Sequence, residues 1–224
     1  MTRNGPPGLA VILLAGGRAR RMGGIDKPAL LVGGRTLAAR AALAAVRAGA
    51  GQVIVVGPDR DGLRAEIDAA MARPGGLVPA IRFVSENPPG AGPVPALRAG
   101  LALVDEPRIL LLAADLPFLR QSDLRALLAA TGDGGGAVPT GDGAALTDNE
   151  HRVQWLTSCW RTGRLRDALA AYRGDSLRGL LDPLRPVLIP AEPAAGAPPS
   201  WLDCDTPEDV AAAVGWAERP ADPR

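Results

Sequence analysis

LAVILLAGGRARRMGGIDK, residues 9–27, decides the fold. Six apolar residues, Leu9 to Leu14, run without polar alternation and meet a glycine pair, Gly16 and Gly17. An unbroken apolar run of strand length that ends at glycine fits a strand covered on both faces, as in a parallel sheet. Paired glycines let the backbone approach a ligand closely, and successive N–H groups in such a turn form an anion-binding nest. The spacing is neither GxGxxG nor GxxxxGK[ST], because Lys27 precedes Pro28 and no Gly-x-Gly occurs here, so dinucleotide and Walker-type readings are disfavoured. By itself the stretch is as readily a plain tight turn.

Outward from it, apolar runs alternate with helix-period segments. Strands are expected at 9–14, 52–57, 80–84, 108–114 and 153–160, and helices at 36–49, 61–72, 93–104 and 122–130. This βαβ series predicts an α/β fold: a three-layer, Rossmann-like, doubly wound and mostly parallel sheet, with ligands beyond the carboxyl ends of the strands. Residues 132–152, rich in Gly and Asp, break the pattern and read as a loop or hairpin over the site, or equally as a disordered surface loop. Residues 190–200 read as a Pro/Ala connector before a last helix, and the tail ERPADPR as frayed. No repeat or linker divides the chain, so residues 1–224 are expected to form one domain with its core at about 8–217. The pattern does not set an oligomeric state.

Composition narrows the partners. A formal net charge of +1 with 22% charged residues provides no basic field for nucleic acid or an anionic membrane. No apolar run approaches the roughly 20 residues of a membrane span. LAVILLA, residues 9–15, resembles a short signal-peptide core but leads into GGRARR rather than a small-residue cleavage site. Cys159 and Cys204 are far apart and form no CxxC, and with the single His151 they make no plausible zinc set, so a reduced, cytoplasmic protein is expected. His151, isolated in a polar stretch, reads as a surface residue.

The 25 Lys+Arg residues comprise 24 arginines and Lys27. A lysine is a compact charge on a flexible stem, suited to following a phosphate during reaction, although chance retention on a loop explains it as well. Arg18, Arg20 and Arg21 bring further cations to the same turn. In RILLLAADLPFL, residues 108–119, Asp115 closes an apolar strand on the ligand-binding edge, where a carboxylate suits Mg²⁺; the competing reading is a cap or turn before Pro117. In WLDCDTPEDVAAAV, residues 201–214, Thr206, Pro207 and Asp209 start a helix. That leaves Asp203 and Asp205, which either complete a magnesium site with Asp115 or face solvent, Asp205 being the better metal candidate. Gly92 and Pro93 mark a helix mouth whose free N–H groups suit a base or phosphate. Trp155 and Trp201 border these loops, and either pack in the core or stack on a flat heterocycle.

LAGGRARRMGGIDK, ADLPFL and DCDTPED, in that order, resemble the nucleotidyltransferases that activate small acceptors with an NTP, most closely the molybdenum cofactor guanylyltransferases. The likeness runs from Leu14 to about Val214. It implies that Leu14, Ala15, Gly16, Gly17 and Arg21 hold the base and phosphates of GTP, that Lys27 contacts the phosphates, and that Asp115 binds Mg²⁺. GPVPALRAGL, with Gly92, is similar to the segment that closes over the nucleotide, and SLRGLL to an acceptor-side helix. The implied reaction is GMP transfer from GTP to the phosphate of a molybdopterin-type acceptor, with Lys27, Arg21 and Asp115 as its catalytic residues. Alternatives are a cytidylyl- or guanylyltransferase for another phosphorylated acceptor, such as phospholactate or a sugar phosphate, and a catalytically silent nucleotide-binding module. Paired glycines at 16 and 17 resemble the guanylyl branch. Pro28, Ala96 and the Asp203/Asp205 pair depart from the family pattern and bear most on the acceptor pocket.

Overall fold

Strand β1, Leu9–Leu14, is an interior strand of a seven-stranded sheet in a computed structural model that describes residues 8–16, 25–72, 78–132, 141–192 and 196–219. Its side chains alternate between two cores. Leu9, Val11 and Leu13 face one, and Ala10 and Ile12 the other. Two buried faces explain why the run has no polar alternation.

A small ribbon follows, β2 (Leu31–Val32) and β3 (Arg35–Thr36), and then helix α1 (Leu37–Arg47). The Thr36 hydroxyl accepts from the Ala39 N–H at 3.1 Å and caps that helix. The chain continues through β4 (Gln52–Val56), α2 (Asp61–Met71), β5 (Ala80–Val84), α3 (Pro93–Leu101), β6 (Arg108–Ala113) and α4 (Gln121–Ala130). Then come β7 (Gly143–Thr147), β8 (Val153–Arg161), α5 (Thr162–Ala171), α6 (Leu177–Leu181), β9 (Val187–Pro190) and α7 (Pro207–Ala217). Helices α1, α2 and α4 supply one core, and α3, α5 and α6 the other, giving the expected three layers.

The strand order is β5-β4-β1-β6-β8-β7-β9. β1 pairs in parallel with both β4 and β6, and the chain order reverses direction across the β1–β6 boundary, which is where α/β sheets bind ligands. The expected strands and helices up to residue 130 are present, with ends displaced by at most three residues.

Beyond residue 130 the sequence reading needs correction. β8 runs antiparallel to β6, so it is a returning strand and not a further βαβ unit. Within residues 132–152, expected as a loop or hairpin over the site or as a disordered surface loop, 143–147 form the buried strand β7, which pairs antiparallel with β8 as one arm of a hairpin inside the main sheet. Its GAALT composition, mostly Gly and Ala, carries too little hydrophobic signal for periodicity to reveal. β9 also went unread, because VLIP is four residues long at a sheet edge and ends in proline. Residues 133–140, 193–195 and 220–224 lie outside the described residues.

Candidate active site

Helix α7 carries a capping box. The Thr206 hydroxyl accepts from the Asp209 N–H at 3.2 Å, and the Asp209 carboxylate accepts from the N–H groups of Thr206 at 2.8 Å and Asp205 at 3.0 Å. This array fixes the backbone at Asp205. Hydrogen bonding by the Thr206 side chain, followed by the two N–H bonds, holds the Asp209 carboxyl below its ordinary pKa. One residue earlier, the Cys204 N–H donates to the Asp115 carbonyl at 3.2 Å, so residues 203–205 are tied to the end of β6 although about 90 residues separate them. Buried Val32, Leu37, Cys204 and Ala213 pack α7 against the small ribbon and complete the support.

Between the two tied segments stands Lys27, at the start of a short 3-10 turn, Lys27–Ala29. Its ammonium donates to Asp115 Oδ2 at 2.6 Å and Asp205 Oδ1 at 2.5 Å. Lys27 and Asp115 are mostly shielded, whereas the Asp205 side chain is 47% exposed. Burial draws the Lys27 pKa down, but hydrogen bonds and charge from the two carboxylates outweigh it, and the net shift is upward. Asp203 is nearby. Burial pushes its carboxyl up, and the negative charges of Asp205 and Asp115 push it further, against a weaker pull from Lys27.

That upward shift tests the place for a metal. Two carboxylates share one ammonium, with the charge of Asp203 nearby, and the surplus negative charge suits a second cation. A hard divalent ion needs one or two protein carboxylates and takes its other ligands from water and substrate phosphates. Asp115 and Asp205 fit that requirement. Among the described residues, no set of three or more His, Cys, Asp or Glu forms an all-protein cage.

A cleft of about 370 Å³ opens beside this cluster, at the carboxyl ends of β1 and β6. Leu14, Gly16, Gly92 and Asp115, all expected in the site, line it. Ala15 is buried just behind, with its N–H bonded to the Val56 carbonyl at 2.9 Å. Gly92 precedes α3 with φ of 106°, a conformation that favours glycine. Gly17 and Arg21, with Arg18 and Arg20, lie outside the described residues.

The lining also includes Glu86 and Leu156, which no sequence expectation assigned to the site. Glu86, just past the end of β5, is 7% exposed and accepts from the Gly90 N–H at 2.8 Å. Its position after a strand end is the signal that singled out Asp115, and applying the same rule to β5 would have found it. Leu156 reaches the cleft from an irregularity in β8: Ala145 faces Ser158, but the next residue, Leu146, faces Gln154. Such a bulge re-aims side chains and has no sequence signature here. The Ser158 hydroxyl holds it, donating to the Trp155 carbonyl at 2.8 Å while accepting from Trp160 Nε1 at 2.7 Å. Trp155 and Trp201 both pack against the cores, on opposite faces of the sheet. His151 is exposed in the β7–β8 turn, away from the lining.

A larger cavity, about 800 Å³, lies at the other end of the sheet, near Pro107, Asp142, Arg161 and Arg164. Arg164 is already paired to Asp142 at 2.8 Å, and the amino ends of parallel strands are not where such folds bind substrates. The smaller cleft is the better candidate.

Residues 11–188 match the MobA-like NTP transferase domain. The chain belongs to that family. A molybdenum cofactor guanylyltransferase of Rhodopseudomonas palustris strain HaA2 is 32% identical to this MobA-like chain over 97% of it and 96% of the relative. A probable molybdenum cofactor guanylyltransferase of Haloferax mediterranei is also 32% identical, over 62% of each chain, so the match spans under two thirds of that relative. Among solved structures, Rv0371c of Mycobacterium tuberculosis H37Rv, determined in complex with manganese, is 21% identical over 93% of this chain and 98% of its own, with a TM-score of 0.62. That likeness shows the MobA-like chain's fold. No helix among the described residues is long and apolar enough to cross a membrane.

Proposed function

We propose that the protein transfers GMP from GTP to the phosphate of a molybdopterin-type acceptor and releases pyrophosphate, with Mg²⁺ as its metal ion and the cytoplasm as its compartment. The observation that carries this reading is that Asp115, which holds the Lys27 ammonium, lines one cleft together with Leu14 and Gly16 at the carboxyl end of β1. The names of the Rhodopseudomonas and Haloferax relatives support the choice of reaction. Glu86 supports the choice of base: an ionised carboxylate only accepts hydrogen bonds, and the guanine edge offers N–H donors on N1 and N2 where cytosine offers a single amino group.

An acceptor phosphate is already ionised at neutral pH, so attack on the α-phosphorus needs no general base. The chain's task is then to position the reactants and neutralise charge. The backbone N–H of Gly16 faces the phosphates, joined by Gly17 and Arg21, while Ala15 anchors the turn through its N–H bond to the Val56 carbonyl. Lys27 releases its carboxylate partners and follows the charge that develops as pyrophosphate departs. Asp115 and Asp205 hold the metal. Mg²⁺, when bound there, supplies positive charge to the phosphate oxygens. Leu14, Gly92 and Leu156 wall the nucleotide from water.

The test is incubation of purified protein with Mg²⁺, a molybdopterin-type acceptor and either GTP or CTP, followed by mass analysis. A product heavier by one GMP, with pyrophosphate, is expected from GTP alone. A CMP adduct instead, or no pyrophosphate with either nucleotide, overturns the reading.

A further inference from the structure

Arg60 sits at the tip of the β4–α2 connection, and nothing in the reaction so far uses it. Its Nε donates to Asp26 Oδ2 at 2.9 Å and its Nη2 to Asp26 Oδ1 at 2.5 Å. The same Nη2 donates to the Ala15 carbonyl at 3.0 Å, and Nη1 to the Pro58 carbonyl at 3.1 Å. One planar group therefore joins the residue that leaves β1 to the residue just before Lys27.

We propose that Arg60 is a positioning residue for nucleotide transfer, clasping Ala15 and Asp26 so that Lys27 is held at a fixed place relative to Gly16. This deepens the transferase reading and rests on it. The Asp26 carbonyl accepts from the Ala29 N–H at 3.0 Å and so begins the turn that carries Lys27. Holding Asp26 orients that turn. On the other side, Gly57 has φ of 147°, and a Cβ there would lie 2.9 Å from the Ala15 carbonyl carbon and oxygen and from the Gly16 nitrogen. β4 therefore presses directly on the same backbone that Arg60 grips.

Exposure argues against a purely stabilising salt bridge. The Asp26 side chain is 52% exposed, and an ion pair with so exposed a partner contributes little to stability by itself, although Arg60 is only 11% exposed. What the fork provides is direction: two parallel bonds to a carboxylate fix an angle that a single ammonium does not. Lysine at this position would keep the charge and lose the geometry.

The test compares Arg60→Ala, Arg60→Lys, Asp26→Ala and the Arg60→Ala/Asp26→Ala pair with the unaltered protein. The readouts are kcat/KM for GTP, KM for the acceptor, and Tm. Each single variant should lose roughly 10- to 100-fold in kcat/KM for GTP, the scale of a group misplaced by about 1 Å. Acceptor KM should stay close to the unaltered value in every variant, and Tm should do so in Asp26→Ala, where the side chain removed is half-exposed. The pair should lose no more than either single variant, because both remove one clasp. Unchanged kcat/KM in Arg60→Ala, full rescue by lysine, or additive losses overturn the clasp while leaving the transferase reading intact. If Arg60→Ala does not fold, Asp26→Ala decides by the same readouts. Absence of GTP turnover in the unaltered protein overturns both.

Discussion

Replacing Lys27 with methionine should tighten divalent-ion binding in the absence of nucleotide, although the same change removes a catalytic group. The ammonium lies at 2.6 and 2.5 Å from the two carboxylates that would hold the ion, so it occupies their coordination sites as an internal cation. An incoming divalent ion meets one of two penalties. With Lys27 in place about 4 Å away, repulsion of a double charge comes to about 2 kcal/mol in a water-like medium and about 8 at a protein-like dielectric. If Lys27 swings away, two charge-assisted bonds worth about 1.5–3 kcal/mol each are broken, discounted for the half-exposed Asp205. The second route is the cheaper and leaves about 2–4 kcal/mol. Methionine fills the same space without that cost. Mn²⁺ titration of the nucleotide-free protein, followed by the free-ion paramagnetic resonance signal, should show at least a roughly tenfold lower Kd in Lys27→Met. Adding Asp115→Asn should cancel the gain. Equal Mn²⁺ affinity in Lys27→Met and the unaltered protein would refute the reasoning, because the metal would then bind away from the acids that Lys27 holds.

Other outcomes follow from the same geometry. Lys27→Ala should lower GTP turnover by roughly 10²- to 10³-fold, as for loss of one preorganised donor, measured by pyrophosphate release at saturating substrate. Glu86→Gln should erode the preference for GTP over CTP in thermal-shift titrations with Mg²⁺, and an unchanged preference would remove Glu86 from base recognition. Gly143→Ala places a Cβ 2.1 Å from the fully buried Trp160 ring, so denaturant unfolding should show a loss at or above the upper end of the usual overpacking cost, about 3 kcal/mol. Burial pushes the Cys159 thiol up to about 11 from 9.0. Its folded pKa is thus raised, so its contribution is complete below pH 9 and lost as pH rises toward 11; the decline in Tm over that window should be shallower in Cys159→Ala.

The sequence and the structure agree where burial is symmetrical. β1, β4 and β6 are covered on both faces, and continuous apolar runs announce that arrangement directly. The strand-end rule found Asp115 for the same reason: a carboxylate after such a run has only the ligand edge to occupy. Asp203 and Asp205 were legible as acids before a helix cap, but the meeting of Asp205 with Lys27 depends on the Cys204 N–H bond to the Asp115 carbonyl, a backbone contact that no side-chain pattern encodes. β7 was hidden by its small Gly and Ala side chains, and β9 by its shortness. Arg60 was hidden by composition, since one arginine among 24 carries no local mark, and only the spatial approach of Ala15 and Asp26 distinguishes it.

The most direct measurement is a crystal structure with a non-hydrolysable GTP analogue and Mg²⁺. The account predicts the triphosphate beside Gly16 with guanine against Glu86, and the Lys27 ammonium moved from Asp115 and Asp205 onto a phosphate. Nucleotide seated in the cavity by Arg161 and Arg164, or phosphates bound while Lys27 keeps both carboxylates, would contradict it.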